Sequence, residues 1–188
     1  MLPFGHAATA YLCYAVYAVV TSRRLPARLA LFPLALGSQF PDLIDKPLAY
    51  WNLVPYGRSL AHSVFTCGLV IALIWGSFHY ARDYWDPGSW QDRLRVVTPA
   101  AFGIGYTSHL LGDSYTALLA GRFVDARFLL YPLYPLPESP ADDIPPWLRL
   151  LRIYQYLDTH PQFGLIIFAV VVFLGIRIWA SVKPRLER

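Results

Sequence analysis

Apolar residues in this chain of 188 residues fall into five long blocks separated by short polar or proline-rich stretches. Blocks of that length predict membrane-crossing helices. The first helix is expected from about His6 to Thr21, closed by Ser22-Arg23-Arg24. The second is expected from about Arg28 to Phe40 and should stop at Pro41-Asp42. It is short for a span, about 20 Å at 1.5 Å per residue. The third begins near Leu60 and continues to about Tyr80, and the polar stretch Arg82 to Arg95 divides it from a fourth, about Val97 to Leu119. A connection containing Pro132, Pro135, Pro137, Pro140, Pro145 and Pro146 leads to the fifth, about Phe163 to Ala180, the most hydrophobic of all. No internal repeat is visible.

Inside the proline-rich connection, residues Trp147 to Leu157 mix aromatic and leucine positions with Arg149 and Arg152. This pattern predicts an amphipathic helix in the membrane interface, with Asp142 and Asp143 as cap candidates. Such a helix serves either as a lid or lipid entry, or as a plain loop anchor.

Composition agrees with the pattern. The chain is 56% hydrophobic and only 15% charged, with a mean hydropathy of +0.38, where a soluble domain carries about a quarter charged residues. The expected architecture is all-α: one membrane-embedded domain over residues 1–188, with about five transmembrane segments. Residues 1–120 would carry the site helices, 121–161 the loop with the interfacial helix, and 162–188 the last span and basic tail. Cys13 and Cys67 both fall in apolar blocks and read as small core residues, not as a disulfide. Met1 to Gly5 carries no basic side chain, so the first block is expected to be a retained helix and not a signal peptide.

The net charge of +4 is explained by where the arginines lie. If the first helix ends inside, Arg23, Arg24, Arg28, Arg82, Arg93, Arg95, Arg177, Lys183, Arg185 and Arg188 gather on one side. The smaller set Lys46, Arg58, Arg122, Arg127, Arg149 and Arg152 gathers on the other. The rule for cytoplasmic Lys and Arg then places the N-terminus outside and the C-terminus inside the cell membrane. No basic run interleaves with aromatic stacking residues, so nucleic acid is not an expected partner.

Against this apolar background, His6, Asp42, His62, His109 and Asp113 are misplaced, because an ionisable side chain at membrane depth is costly and marks function by default. The helical rise places Asp42 about 21 Å from Arg28, His109 about 21 Å from Arg95, His6 about 25 Å from Arg23 and His62 about 30 Å from Arg82. All five therefore share one depth, on the extracytoplasmic side. His109 and Asp113 also lie one turn apart on a single helix face. Taken singly, each has an ordinary alternative. The His109–Asp113 pair could be a hydrogen-bonded core pair or a proton relay, His6 an interfacial residue, Asp45 a partner of Lys46, Ser59 a helix cap and Arg58 a headgroup anchor. Their common depth reads as one metal site between helices. Three imidazoles and two carboxylates suit zinc, or manganese if the carboxylates dominate.

Asp42 after Pro41, Arg58-x-x-x-His62-Ser63, and His109-x-x-x-Asp113 followed by Gly121 and Leu130-Tyr131-Pro132 resemble the YdjM-type membrane-bound metal-dependent hydrolases. That family is regarded as a membrane relative of the zinc-dependent phospholipase C and single-strand nuclease superfamily. The resemblance covers about residues 1–135. It implies metal-dependent hydrolysis of a phosphoester, with His6, Asp42, His62, His109 and Asp113 as ligands of one or two ions. Two departures stand out: Asp42-x-x-Asp45 replaces the Asp-x-Asp usual after the proline, and Gly57 stands where a histidine usually precedes the arginine. Arg58 is the expected phosphate grip, Asp45 a general base or a partner of a ligand, and Ser63 a ligand-orienting hydroxyl. A phosphorylated lipid or lipid-linked molecule is the expected substrate. The competing readings are a non-catalytic scaffold with a structural metal, and an ion-coupled transporter, which would be expected to show inverted repeats.

Overall fold

The computed structural model describes residues 1–22, 25–137, 140–155, 159–160 and 162–186. Arg23, Arg24, Tyr156, Leu157, Pro161 and Arg188, which entered the readings above, lie outside the described residues. The described chain is all-α: α1 (Pro3–Ser22), α2 (Leu31–Tyr50), α3 (Val64–Tyr80), α4 (Trp90–Leu119), α5 (Pro146–Tyr154) and α6 (Phe163–Leu186). Short 3-10 segments punctuate it, among them Phe123–Leu130.

Among the described residues, three helical stretches are long and apolar enough to cross a membrane by themselves: Pro3–Thr21, Val64–Tyr84 and Phe163–Val182. The last two bury almost nothing inside the bundle. Their outward faces carry Leu69, Leu73 and Trp75 on α3 and Phe168, Val171 and Trp179 on α6. Such surfaces would be untenable in water and suit lipid. α2 and α4 do not pass the same test, because they carry the polar residues. They form the most extensive helix pair, with α1 against both.

Helix boundaries differ from the hydropathy reading in α2, α3 and α4. α2 runs straight through Pro41 and Pro47 to Tyr50. Pro41 cannot supply the N–H that the Gly37 carbonyl would take, and in water this would favour a break. In a membrane bundle neighbouring helices support the loosened turn. α3 begins at Val64, not Leu60, because the Ser63 hydroxyl caps it by accepting from the Phe65 N–H. Residues 51–63 are therefore a loop without helix. α4 also starts early: Ser89 accepts from the Asp92 N–H, a cap lying outside the apolar block.

The interior is held by small residues where α2 crosses α4. A Cβ on Gly37 would lie 2.3 Å from the Phe102 carbonyl oxygen, and one on Gly105 would lie 2.4 Å from the Leu34 carbonyl oxygen. Only glycine permits this backbone approach, the device membrane helices use where packing must replace the hydrophobic effect. On one side of the crossing lie Ala10, Tyr14, Leu34 and Ala101, and on the other Cys67, Phe102, Tyr106 and Leu110. Cys67 is thus a core residue as expected, while Cys13 is exposed on the outer face of α1.

Candidate metal centre

The close crossing brings the Ser38 carbonyl on α2 to the His109 ring on α4, where Nδ1 donates to it at 2.6 Å. That bond fixes the tautomer: with hydrogen on Nδ1, His109 Nε2 carries a lone pair. His62 is fixed in the same sense from the other side. Its Nδ1 donates to Asp45 Oδ2 at 2.8 Å, and both rings are fully buried.

Asp45 is the organiser of this half of the site. Its Oδ1 accepts from the Ala61 N–H at 2.9 Å, and its Oδ2 from the backbone N–H groups of Ser59 (2.8 Å) and His62 (3.1 Å). One buried carboxylate therefore folds residues 59–62 back under α2. Tyr106 secures the same loop by donating its hydroxyl to the Ala61 carbonyl at 2.5 Å.

The two Nε2 atoms then face each other at 3.2 Å. His62 Nε2 lies 3.5 Å from Asp42 Oδ1 and 3.6 Å from Asp113 Oδ2, and His109 Nε2 lies 3.8 Å from each of those oxygens. A tetrahedral ion with bonds of about 2.0–2.2 Å has ligand–ligand edges of about 3.3–3.6 Å. All four ligand atoms lie within 4.8 Å of one another, and Asp42 Oδ1 is a buried acceptor with no hydrogen-bond partner. The four residues fit a small divalent cation. A proton answers the same arrangement. Burial opposes charge on His62, in the loop before α3, but the Asp113, Asp42 and Asp45 carboxylates outweigh it and raise its pKa to about 10.

The remaining expected residues are distributed around this cage. His6 on α1 is fully buried and stacks on His109, ring centroids 3.7 Å apart. Its Nε2 is 3.3 Å from Asp113 Oδ1 without hydrogen-bond alignment, and both of its ring nitrogens lack hydrogen-bond partners. It stands beside the four-atom cage, not within it. The amino group of Met1 also meets Asp113 Oδ1. Arg58 donates its Nε to Asp113 Oδ2 at 2.9 Å and its guanidinium lies over the Phe128 ring. Lys46 pairs with Asp42 at 2.5 Å, not with Asp45. Ser63 donates to the Tyr131 carbonyl at 2.6 Å and caps α3, so its hydroxyl is engaged away from the cage side chains. Asp142 caps nothing: it accepts from the Gly57 N–H and from Arg149, each at 2.9 Å.

Sequence reasoning missed Ser38, Gly37, Gly105 and Tyr106. The small-residue pairs Gly37-Ser38 on α2 and Gly105 with Ser108 on α4 were the available signal for a close crossing.

The YdjM inner membrane protein family matches residues 1–184. Two curated relatives, both named phosphatidylglycerol–prolipoprotein diacylglyceryl transferase, come from Actinobacillus pleuropneumoniae serotypes 3 and 7. Each is 24% identical over 148 residues, 78% of this chain and 45% of the relative. The chain thus spans less than half the length of these relatives. No solved structure matches.

Proposed function

Because the chain belongs to the YdjM inner membrane protein family, we propose that it is a membrane-embedded metal-dependent hydrolase acting on a phosphoester of a lipid or lipid-linked substrate. The observation that carries this reading is the pair of Nε2 atoms held face to face at 3.2 Å between two carboxylates. Two lone pairs and two negative charges in a buried space call for a cation. Zinc suits two imidazoles and two carboxylates, with manganese the alternative. The named activity of the curated relatives, a transfer from phosphatidylglycerol, supports a lipid as substrate.

In this reading Asp42, His62, His109 and Asp113 hold the ion. His6, with two unpartnered nitrogens beside Asp113, would be available as a ligand for a second ion. A divalent ion held by these residues would supply an activated water and a charge for a phosphoryl oxygen. Asp45, fully buried and accepting four hydrogen bonds, acts by orienting His62 and not as a general base. Arg58 holds Asp113 through Nε and presents the rest of its planar fork to a phosphate oxygen. The arginine distribution supports a site at the extracytoplasmic face.

One observation favours a second reading, a scaffold with a structural ion: the cage offers four protein ligands, enough to fill a four-coordinate shell, and structural sites are closed. Both are tested by purifying the protein without chelators, measuring its metal, and assaying phosphodiester and phospholipid hydrolysis beside His109→Ala and Asp113→Ala. The hydrolase reading expects bound metal and turnover in the wild type and loss of both in the variants. Metal without turnover on any phosphoester selects the scaffold. A wild type without metal overturns both.

A further inference from the structure

The cage adjoins a groove of about 540 Å3 between α2 and α5: Asp42 belongs to both, and Arg58, bonded to Asp113 of the cage, lines the groove. A volume of that order holds a small ligand or a lipid headgroup with its glycerol. The groove has two kinds of wall. Lys46, Arg58 and Arg149 bring positive charge, while Leu43, Leu150 and Ile153 are apolar.

Each of the three cations is paired with one carboxylate: Lys46 with Asp42, Arg58 with Asp113, Arg149 with Asp142. Two of those carboxylates are cage residues. A divalent ion in the cage takes up their charge, leaving Lys46 and Arg58 in need of an anion at the groove. Arg149 adds a further demand, since its buried Nε has no hydrogen-bond partner.

α5 sets the height of the groove. Its Trp147 and Leu151 are exposed on the outside while Arg149, Leu150 and Ile153 line the inside. An amphipathic helix with that distribution lies in the membrane interface, at the level of phospholipid headgroups. Asp142 ties it down by accepting from both Arg149 and the Gly57 N–H. A Cβ on Gly57 would sit 2.7 Å from Asp142 Oδ1, so the glycine before Arg58 makes room for this tie.

We propose that this groove binds an anionic glycerophospholipid, its phosphate between Lys46, Arg58 and Arg149 and its glycerol and upper chains along Leu43, Leu150 and Ile153. The inference rests on the lipid-hydrolase reading for its purpose, and on groove chemistry alone for its ligand. Charge complementarity selects an anion, and the apolar wall at interface height selects a lipid over free phosphate.

The test measures binding, not turnover. The metal-loaded protein in maltoside micelles is titrated with three probes: a phosphonate analogue of dioctanoylphosphatidylglycerol, with carbon replacing the glycerol ester oxygen on phosphorus, dioctanoylphosphatidylcholine, and inorganic phosphate. The phosphonate should bind at least tenfold more tightly than the zwitterion. Arg149→Gln should weaken it at least tenfold with metal content unchanged, and Arg149→Lys should recover most of the loss. Ile153→Glu should weaken the phosphonate at least tenfold and leave inorganic phosphate unaffected. Unchanged lipid affinity in both Arg149→Gln and Ile153→Glu overturns the proposal. So does an inorganic phosphate affinity equal to that of the lipid. Groove-dependent binding with no hydrolysis of the parent phospholipid supports the groove and removes the hydrolase reading. Hydrolysis of phospholipid at wild-type rate by both groove variants does the opposite.

Discussion

His62 and His109 meet Nε2 to Nε2 at 3.2 Å, each locked by a hydrogen bond at its far nitrogen, one to a carboxylate and one to a main-chain carbonyl. Rings held in this way cannot turn away from each other. The energy of the pair therefore depends on what lies between them.

Asp45→Asn tests the first of those locks. The amide cannot accept from three backbone N–H groups and the His62 ring as a carboxylate does. Loss of a partner that orients a metal-bound histidine typically costs 10–100-fold in metal affinity. That range is expected in a competition titration with a chromophoric chelator, and an unchanged affinity would remove Asp45 from the site.

Stripping the metal should destabilise the whole bundle, since the cage draws on α2, α4 and the loop before α3. An ion present at a hundred times its Kd stabilises the folded state by about 2.7 kcal/mol. Thermal unfolding in detergent should shift down with a strong chelator and recover when zinc is restored. A melting curve indifferent to both treatments contradicts a site linking these segments.

Gly105→Ala forces a methyl group against the Leu34 carbonyl and the Ser38 nitrogen. Overpacking of this kind costs about 1–3 kcal/mol. The variant should melt lower and also bind metal more weakly, because the Ser38 carbonyl that sets the His109 tautomer moves with α2. Gly76, with nothing near its added Cβ, is the control: Gly76→Ala should leave metal affinity unchanged.

Ser63→Ala separates a cap from a ligand-orienting role. Removing an N-cap hydroxyl costs about 1 kcal/mol. A lower melting temperature with unaltered metal affinity is expected, and a tenfold loss of metal would return Ser63 to the site.

The sequence made part of this site legible because part of it is local. His109 and Asp113 share a helix face by periodicity alone, and Asp42 and His62 betray themselves by being ionisable in apolar surroundings. Asp45 and Asp142 were harder, since their partners lie far along the chain: Asp45 reaches the loop that returns under α2, and Asp142 bonds Gly57 across 85 positions. The end of α2 was misjudged because Pro41 acts on a helix differently when neighbours can support the loosened turn. The start of α4 was hidden by a polar cap that hydropathy does not register.

The scattering of the cage along the chain also sets an order for biogenesis. Synthesis proceeds from the N-terminus and segments fold as they emerge, so His6, Asp42, Asp45 and His62 reach the membrane before His109 and Asp113 exist. Until α4 arrives, α2 has only part of the polar company that its carboxylates keep in the finished bundle. Insertion of the fourth helix is thus the step at which the nascent chain first brings Asp42, His62, His109 and Asp113 together, and any ion that needs all four could be held only after residue 113 is made.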